Sequence, residues 1–177
     1  VKTPATRIIL GIGANLIPDG YETPQQGCAA AIGQLTQHDI RVLDQSRWFE
    51  TAPVPISDQP WFVNAVILAE TELPAEAALA ALHRIEKQFG RTRNQRNEAR
   101  VLDIDLVDYG GMVTDREDLI LPHPRMHERA FVLLPLHDVV PEWVHPITRS
   151  SIATLIAALP DDQMIRPMGD GALGDSD

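Results

Sequence analysis

The chain has 177 residues, 44% hydrophobic and 23% charged, which suits one globular domain with a full core. Its 25 acids against 15 bases give a net charge of −10, which argues against nucleic acid or a membrane surface as a partner. Cys28 is the sole cysteine, excluding an intrachain disulfide and a cysteine-based zinc site and fitting a cytoplasmic location. No secretory signal is read near the start, where Ile8-Ile9-Leu10 is too short an apolar run. No stretch approaches a membrane span.

In chain order, Arg7 to Gly13 reads as a strand closed by glycine. Thr23-Pro24 opens a small-residue helix running to about Gln37. Arg41 to Glu50 alternates and reads as a strand, interrupted at Thr51-Ala52-Pro53-Val54-Pro55. Trp61 to Glu70 is the strongest strand, rich in β-branched and aromatic residues. Pro74 opens a second helix with an apolar stripe at Leu79, Leu82, Ile85 and Phe89, ended by Gly90. Val101 to Tyr109 is the next strand, and Gly110-Gly111 is expected to turn a hairpin into Met112-Val113. The order β-α-β-β-α-β predicts a ferredoxin-like α+β sandwich. Its sheet is mainly antiparallel, with both helices on one face and the other face free for a site. Pro124 to Val139 and Ser151 to Leu159 read as extra C-terminal helices. Residues 1–168 read as a single domain and 169–177 as a flexible tail.

The informative segment joins the second helix to the strand at Val101. Arg84, Arg91, Arg93, Arg96 and Arg100 fall within 17 residues, a positive island in an acidic chain. Beyond it Leu102, Ile104 and Leu106 take one strand face, so Asp103 and Asp105 share the other, with Cα atoms roughly 6.5 Å apart. Two converging carboxylates suit Mg²⁺, which takes one or two such ligands plus substrate phosphates. Arginines suit the phosphates. The combination points to metal-assisted chemistry on a polyphosphate such as ATP.

Each motif has a plainer reading. Asp103 and Asp105 could line a solvated sheet face, or Asp103 could pair with Arg100. The arginine loop could be an exposed connection, although roughly ten residues without apolar periodicity is long for one and suits a lid. Glu86, taken alone, reads as a surface residue at the core edge. His123, between Pro122 and Pro124, could be structural or could bind phosphate with Arg129. Gly11-x-Gly13 lacks the third glycine of a dinucleotide fingerprint, so a tight strand exit is favoured.

Taken together, Gly13-Ala14-Asn15-Leu16, Thr51-Ala52-Pro53, Gln59-Pro60-x-Phe62-x-Asn64-Ala65, Ile85-Glu86-x-x-x-Gly90-Arg91-x-Arg93, Arg100-x-x-Asp103-Ile104-Asp105-Leu106 and Leu121-Pro122-His123 through Arg129-x-Phe131 resemble the 6-hydroxymethyl-7,8-dihydropterin pyrophosphokinase family. The resemblance spans about residues 7–160. It implies a ferredoxin-like fold and transfer of pyrophosphate from ATP to the hydroxymethyl group of the pterin in folate biosynthesis, releasing AMP. It implies two Mg²⁺ ions, held by Asp103 and Asp105, with Arg91 and Arg100 as catalytic partners. His83, Glu86, Arg93, Arg96, His123 and Arg129 match ATP-side positions. Thr51, Ala52, Pro53, Val54, Phe62, Asn64 and Phe131 match pterin-side positions, with Phe62 and Phe131 stacking on the ring. The expected partners are these two small molecules, with no nucleic acid and no membrane, acting on a monomer. The chain departs from the family at Asn97-Glu98-Ala99, where well-known members carry Trp-Gly-Pro, and at Pro124, where many carry Tyr. The competing class is a non-catalytic ferredoxin-like ligand-binding or regulatory domain. Another ATP-dependent transferase is a third reading.

Overall fold

A computed structural model describes residues 3–53, 55–91 and 99–169. Strand β1 (Thr6–Ala14) alternates apolar side chains to both faces, and from Ile8 onward all of it but Gly11 is buried. Helix α1 (Pro24–Gln34) starts as predicted, with the Thr23 hydroxyl accepting from the Gln26 N–H and Pro24 in the first turn. It tightens into a 3₁₀ turn over Leu35–His38. The next strand is split earlier than its sequence suggested, into β2 (Ile40–Gln45) and β3 (Phe49–Thr51). The cause is Ser46, whose hydroxyl accepts the Val66 N–H at 2.9 Å and donates to Arg47 O at 2.7 Å. That side chain takes over a backbone role and breaks the ladder.

Strand β4 (Phe62–Thr71) pairs with β1, β2 and β3, and β5 (Asp103–Tyr109) pairs with β1, all antiparallel. The order β5-β1-β4 with β2 and β3 beyond is the ferredoxin-like sheet. Helix α2 (Ala75–Gln88) packs beside α1 on one face. The core there joins Ile8, Leu10, Ile12, Ile67, Ile104 and Leu106 from the sheet to Cys28, Ala31, Leu82 and Ile85 from the helices.

The other face is only half free, which corrects the expectation. Helix α3 (Ala130–Val139) and helix α4 (Ile152–Ala157) cover Ile9, Val66 and Val107 with Met126, Leu133, Leu136, Trp143 and Ile152. The Gly110-Gly111 pair does turn the chain, at φ values of 56° and 77°, but it closes no hairpin with β5. The hairpin lies further on, between β6 (Thr114–Arg116) and β7 (Leu119–Leu121). A last strand, β8 (Ile165–Pro167), was not predicted and extends the sheet beside β3. Among the described residues no helix is long and apolar enough to cross a membrane.

Candidate active site

A bulge sets the register that builds the site. Ile9 faces Asp108 across β1 and β5, but Leu10 faces Leu106, so Val107 is the extra residue. Beyond the bulge, Asp105 lies opposite Gly11 and Asp103 opposite Gly13. On the other side of β1, Gly13 faces Asn64, and β4 carries Phe62 opposite Thr51 of β3. Directly paired residues share a sheet face, so these groups share the half-face that α3 leaves open. Gly13 stands one residue before β1 ends, and it has a second role besides the strand exit. A Cβ there would lie 2.5 Å from Asn64 Oδ1 and 3.1 Å from Val63 O, so the glycine clears room for the amide.

The result is a cleft of about 1120 Å³. Thr51, Ala52, Pro53, Phe62 and Asn64 form one wall, with Asn64 Nδ2 donating to Thr51 Oγ1 at 2.7 Å. Arg100, Asp103 and Asp105 form the second, and Arg129 and Phe131 the third. The Arg129 guanidinium stands 5.3 Å from the centre of the Phe131 ring.

The two aspartates differ sharply. Arg91 Nη1 donates to Asp103 Oδ1, and Arg100 Nη1 donates to Oδ2 at 2.6 Å. The pairing of Arg100 with Asp103 is thus realised, and Asp103 is also a cleft residue. Burial pushes Asp103 up, but Arg100 and Arg91 outweigh it and hold the carboxyl below its usual range. Among the described residues Asp105 has no ion-pair partner within 4 Å. Burial, reinforced by the charge of Asp103, raises its carboxyl to about 7. Such a group costs energy to ionise until a cation arrives. Two hard carboxylates, one of them short of positive charge, fit a divalent metal of the Mg²⁺ type. The described residues hold no cluster of three or more His, Cys, Asp or Glu side chains, and the pair of aspartates leaves positions on such an ion for substrate or water oxygens.

The remaining predicted residues lie off the cleft lining. Glu86 is 1% exposed, which corrects its surface reading. It accepts the Ile104 N–H at 3.1 Å and an Arg91 Nη1–H, tying α2 to β5 from behind the site. Arg91 is therefore turned inward, bridging Glu86 and Asp103. His83 is on the exposed face of α2. His123 accepts the Arg125 N–H on Nδ1 at 3.2 Å, and burial together with Arg129 lowers its pKa to about 4. Burial also lowers the pKa of Arg129. Val54, Arg93, Arg96 and the lid expected over 91–100 lie wholly or largely outside the described residues.

Sequence reasoning gave no role to Asn15, yet it is 2% exposed and ties the walls together. Its Oδ1 accepts the Arg100 N–H at 2.8 Å, and its Nδ2 donates to Pro60 O at 3.0 Å and Gln59 Oε1 at 3.2 Å. Its place in Gly13-Ala14-Asn15-Leu16 was the available signal. Arg125, another lining cation, was also missed, although it stands two residues beyond His123.

Residues 9–141 match the family model of 7,8-dihydro-6-hydroxymethylpterin-pyrophosphokinase, HPPK. The chain belongs to the HPPK family. It is 39% identical over 140 residues to the 2-amino-4-hydroxy-6-hydroxymethyldihydropteridine pyrophosphokinase of Methylorubrum extorquens, covering 78% of this chain and 85% of that one. It is 34% identical over 158 residues to the enzyme of the same name from Haemophilus influenzae, covering 89% and 95%. The folic acid synthesis protein fol1 of Pneumocystis carinii is 41% identical over 138 residues, 78% of this chain but only 18% of that longer protein. In fold, the Plasmodium falciparum HPPK-DHPS structure with STZ-DHP superposes with a TM-score of 0.66 at 13% identity, over 87% of this chain and 43% of that one. HPPK membership makes the chain one of a family of ATP-dependent transferases and disfavours the non-catalytic reading.

Proposed function

We propose that this chain transfers pyrophosphate from ATP to the hydroxymethyl group of 6-hydroxymethyl-7,8-dihydropterin, releasing AMP, in folate biosynthesis. The observation that carries the reading is one cleft holding a paired-aspartate strand, lining arginines and a wall of Thr51, Phe62 and Asn64. The pterin hydroxyl oxygen forms a bond to the β-phosphorus as the bond from that phosphorus to the oxygen bridging to the α-phosphate breaks. The hydroxyl proton is released, and AMP leaves with the bridging oxygen.

Phe62 and Phe131 hold the faces of the flat ring. With its Nδ2 committed to Thr51, Asn64 offers Oδ1 to a ring N–H, and the backbone of Thr51 to Val54 meets the rest of the edge. Arg100, Arg129 and the loop arginines Arg93 and Arg96 position the phosphates, with Arg91 holding Asp103 in place. Glu86 fixes Arg91, and His123 and His83 complete the nucleotide side. Asp103 and Asp105 would hold two Mg²⁺ ions. Bound there, Mg²⁺ neutralises phosphate charge that builds up during transfer. Every residue invoked comes from one chain, so a monomer suffices. In this reading the reaction runs in the cytoplasm, where the lone thiol of Cys28 needs no disulfide partner.

The test is ATP-to-AMP turnover measured with and without the hydroxymethylpterin. AMP formation that depends on the pterin supports the reading. ATP use without it points to another acceptor, and no turnover in either arm points to a binding domain.

A further inference from the structure

The segment from Asp162 to Met168 lies beyond residues 9–141, which match the family model, yet its first residues, Asp162, Gln163 and Met164, line the cleft. It is anchored first to the pterin-side wall. Strand β8 pairs with β3, placing Ile165 opposite Thr51 and Arg166 opposite Glu50. The Ala52 N–H donates to Met164 O at 3.0 Å, and the Met168 N–H donates to Trp48 O at 2.8 Å. Arg166 adds an ion pair to Glu50 at 2.8 Å and stands 5.0 Å from the centre of the Trp61 ring.

From this strap one side chain reaches across to the opposite wall. Gln163 Oε1 accepts the Ala130 N–H at 2.8 Å, and Gln163 Nε2 donates to Glu128 O at 2.7 Å. A carboxamide has the donor and acceptor of a peptide unit, and here both are used on backbone groups that bracket Arg129. Those groups need an outside partner. Arg129 is the N-cap of α3, extended at φ −116° and ψ 112°, with no side-chain cap of its own. An arginine side chain has no acceptor to offer a helix N-terminus, and its charge is disfavoured by the helix dipole. Gln163 supplies the missing acceptor from 33 residues away, which leaves the Arg129 guanidinium directed into the cleft above Phe131.

We propose that Gln163 is a positioning residue for the pyrophosphokinase reaction, fixing Arg129 and Phe131 against the Thr51–Pro53 wall through the strap that carries it. This rests on the function proposed above. The strap ties the wall that meets the pterin edge to the residue that meets its face, so one amide couples the two walls at the mouth of the cleft.

The experiment uses the full chain and three variants. Gln163→Met keeps the length and apolar stem but loses both hydrogen bonds. Gln163→Glu keeps the acceptor for Ala130 N–H and loses the donor to Glu128 O. Phe131→Ala removes the ring that Gln163 is argued to place. Calorimetry with 6-hydroxymethyl-7,8-dihydropterin, in the presence of Mg²⁺ and a non-hydrolysable ATP analogue, should show Kd about tenfold weaker for Gln163→Met, on the scale of one or two lost hydrogen bonds. Gln163→Glu should fall between Gln163→Met and the parent. In the Phe131→Ala background the Gln163→Met loss should shrink to within twofold, since coupled residues are not additive. A general loosening would multiply the two losses and overturn the proposal, as would a Gln163→Met Kd within twofold of the parent. Should Gln163→Met not fold, Gln163→Glu carries the same comparisons. If the parent binds no pterin, the proposed function fails, and hydrogen exchange of the Ala130 amide then decides the positioning alone. Exchange accelerated in Gln163→Met, or in Gln163→Glu if only that variant folds, supports it, and unchanged exchange overturns it.

Discussion

Asn15→Ala separates holding a site together from holding a fold together. Asn15 is 2% exposed and uses both ends of its amide, on Arg100 N–H, Pro60 O and Gln59 Oε1. Three hydrogen bonds at about 1 kcal/mol each put the loss on the order of 3 kcal/mol. For a domain of this size that corresponds to a fall in Tm of roughly 6–12 °C. The fold should survive, because the Asn15 and Leu16 N–H groups still donate to Arg100 O at 3.0 Å. The functional loss should exceed the structural one. Arg100 enters the cleft just where its N–H is fixed, and its guanidinium bonds Asp103 at 2.6 Å. Arg100 should stabilise the transferring phosphate more than the bound substrate, so kcat should fall at least tenfold while both KM values move less. Asn15→Asp adds resolution, since it keeps an acceptor for Arg100 N–H and loses the donor to the Gln59-Pro60 loop. It should retain more of kcat than the alanine variant. Thermal melting and steady-state kinetics on the same preparations are the assay. A lowered Tm with kcat and both KM values within twofold of the parent would show that Asn15 only supports the fold.

Gly13→Ala should drive Asn64 off Thr51, because the new Cβ meets Asn64 Oδ1 at 2.5 Å. Overpacking of this kind costs about 1–3 kcal/mol, and calorimetry should show weaker pterin binding with nucleotide binding retained. Phe62→Ala and Phe131→Ala should each weaken pterin by ~1–3 kcal/mol from lost burial and stacking, with a smaller effect on ATP; equal losses for both ligands count against the aromatic pair. Asp105→Asn should lose most activity yet melt no lower than the parent at pH 8 in EDTA, because a carboxyl with a pKa raised to about 7 is costly when ionised above that pH. Asp103→Asn should lose activity and melt lower, since it strips Arg91 and Arg100 of their partner. His123, at about 4 when folded and near 6.5 when unfolded, should lend stability that is full above pH 6.5 and lost as pH falls towards 4. The loss is as much as roughly 3 kcal/mol. Urea denaturation from pH 4 to 8 should show a flatter profile for His123→Gln, and parallel profiles would refute the assignment.

The face carrying Asp103 and Asp105 was legible because strand periodicity needs only a few residues to declare itself, and Leu102, Ile104 and Leu106 declared it. The starts of α1 and α4 were legible through capping chemistry that is local in sequence, whereas α3, read from Pro124, begins only at Ala130, where its cap comes from the distant Gln163. Short strands were not. Three residues such as Ile165–Pro167 carry no periodicity, and β8 exists because β3 leaves an edge for it to join. Glu86 was misread for a related reason. A carboxylate one step from an apolar stripe looks exposed, and only the arrival of Ile104 N–H and Arg91 from 18 and five residues away makes its burial tolerable. The clearance that Gly13 provides was hidden because the group it makes room for, Asn64, is far along the chain.

What no reading of one strand could supply is the inequality between its two aspartates. They are chemically alike and two residues apart, and the sequence offers both the same arginines. The fold spends those arginines on Asp103. Arg91 comes from behind, held by Glu86, and Arg100 comes from the front, held by Asn15. Asp105 is left with the more distant Arg129, and burial keeps its carboxyl near 7. A polyphosphate entering this cleft finds Arg91 and Arg100 already committed to Asp103, with Arg125 and Arg129 left to meet it, and it adds negative charge beside an acid that resists ionising. Two arginines do not balance a polyphosphate, and charge balance then favours a divalent cation arriving with it. In the absence of nucleotide, by contrast, Asp103 is neutralised without metal and Asp105 can keep its proton, so the empty cleft offers a cation little negative charge. Metal and nucleotide should consequently bind as a unit, each raising the affinity of the other by the same factor.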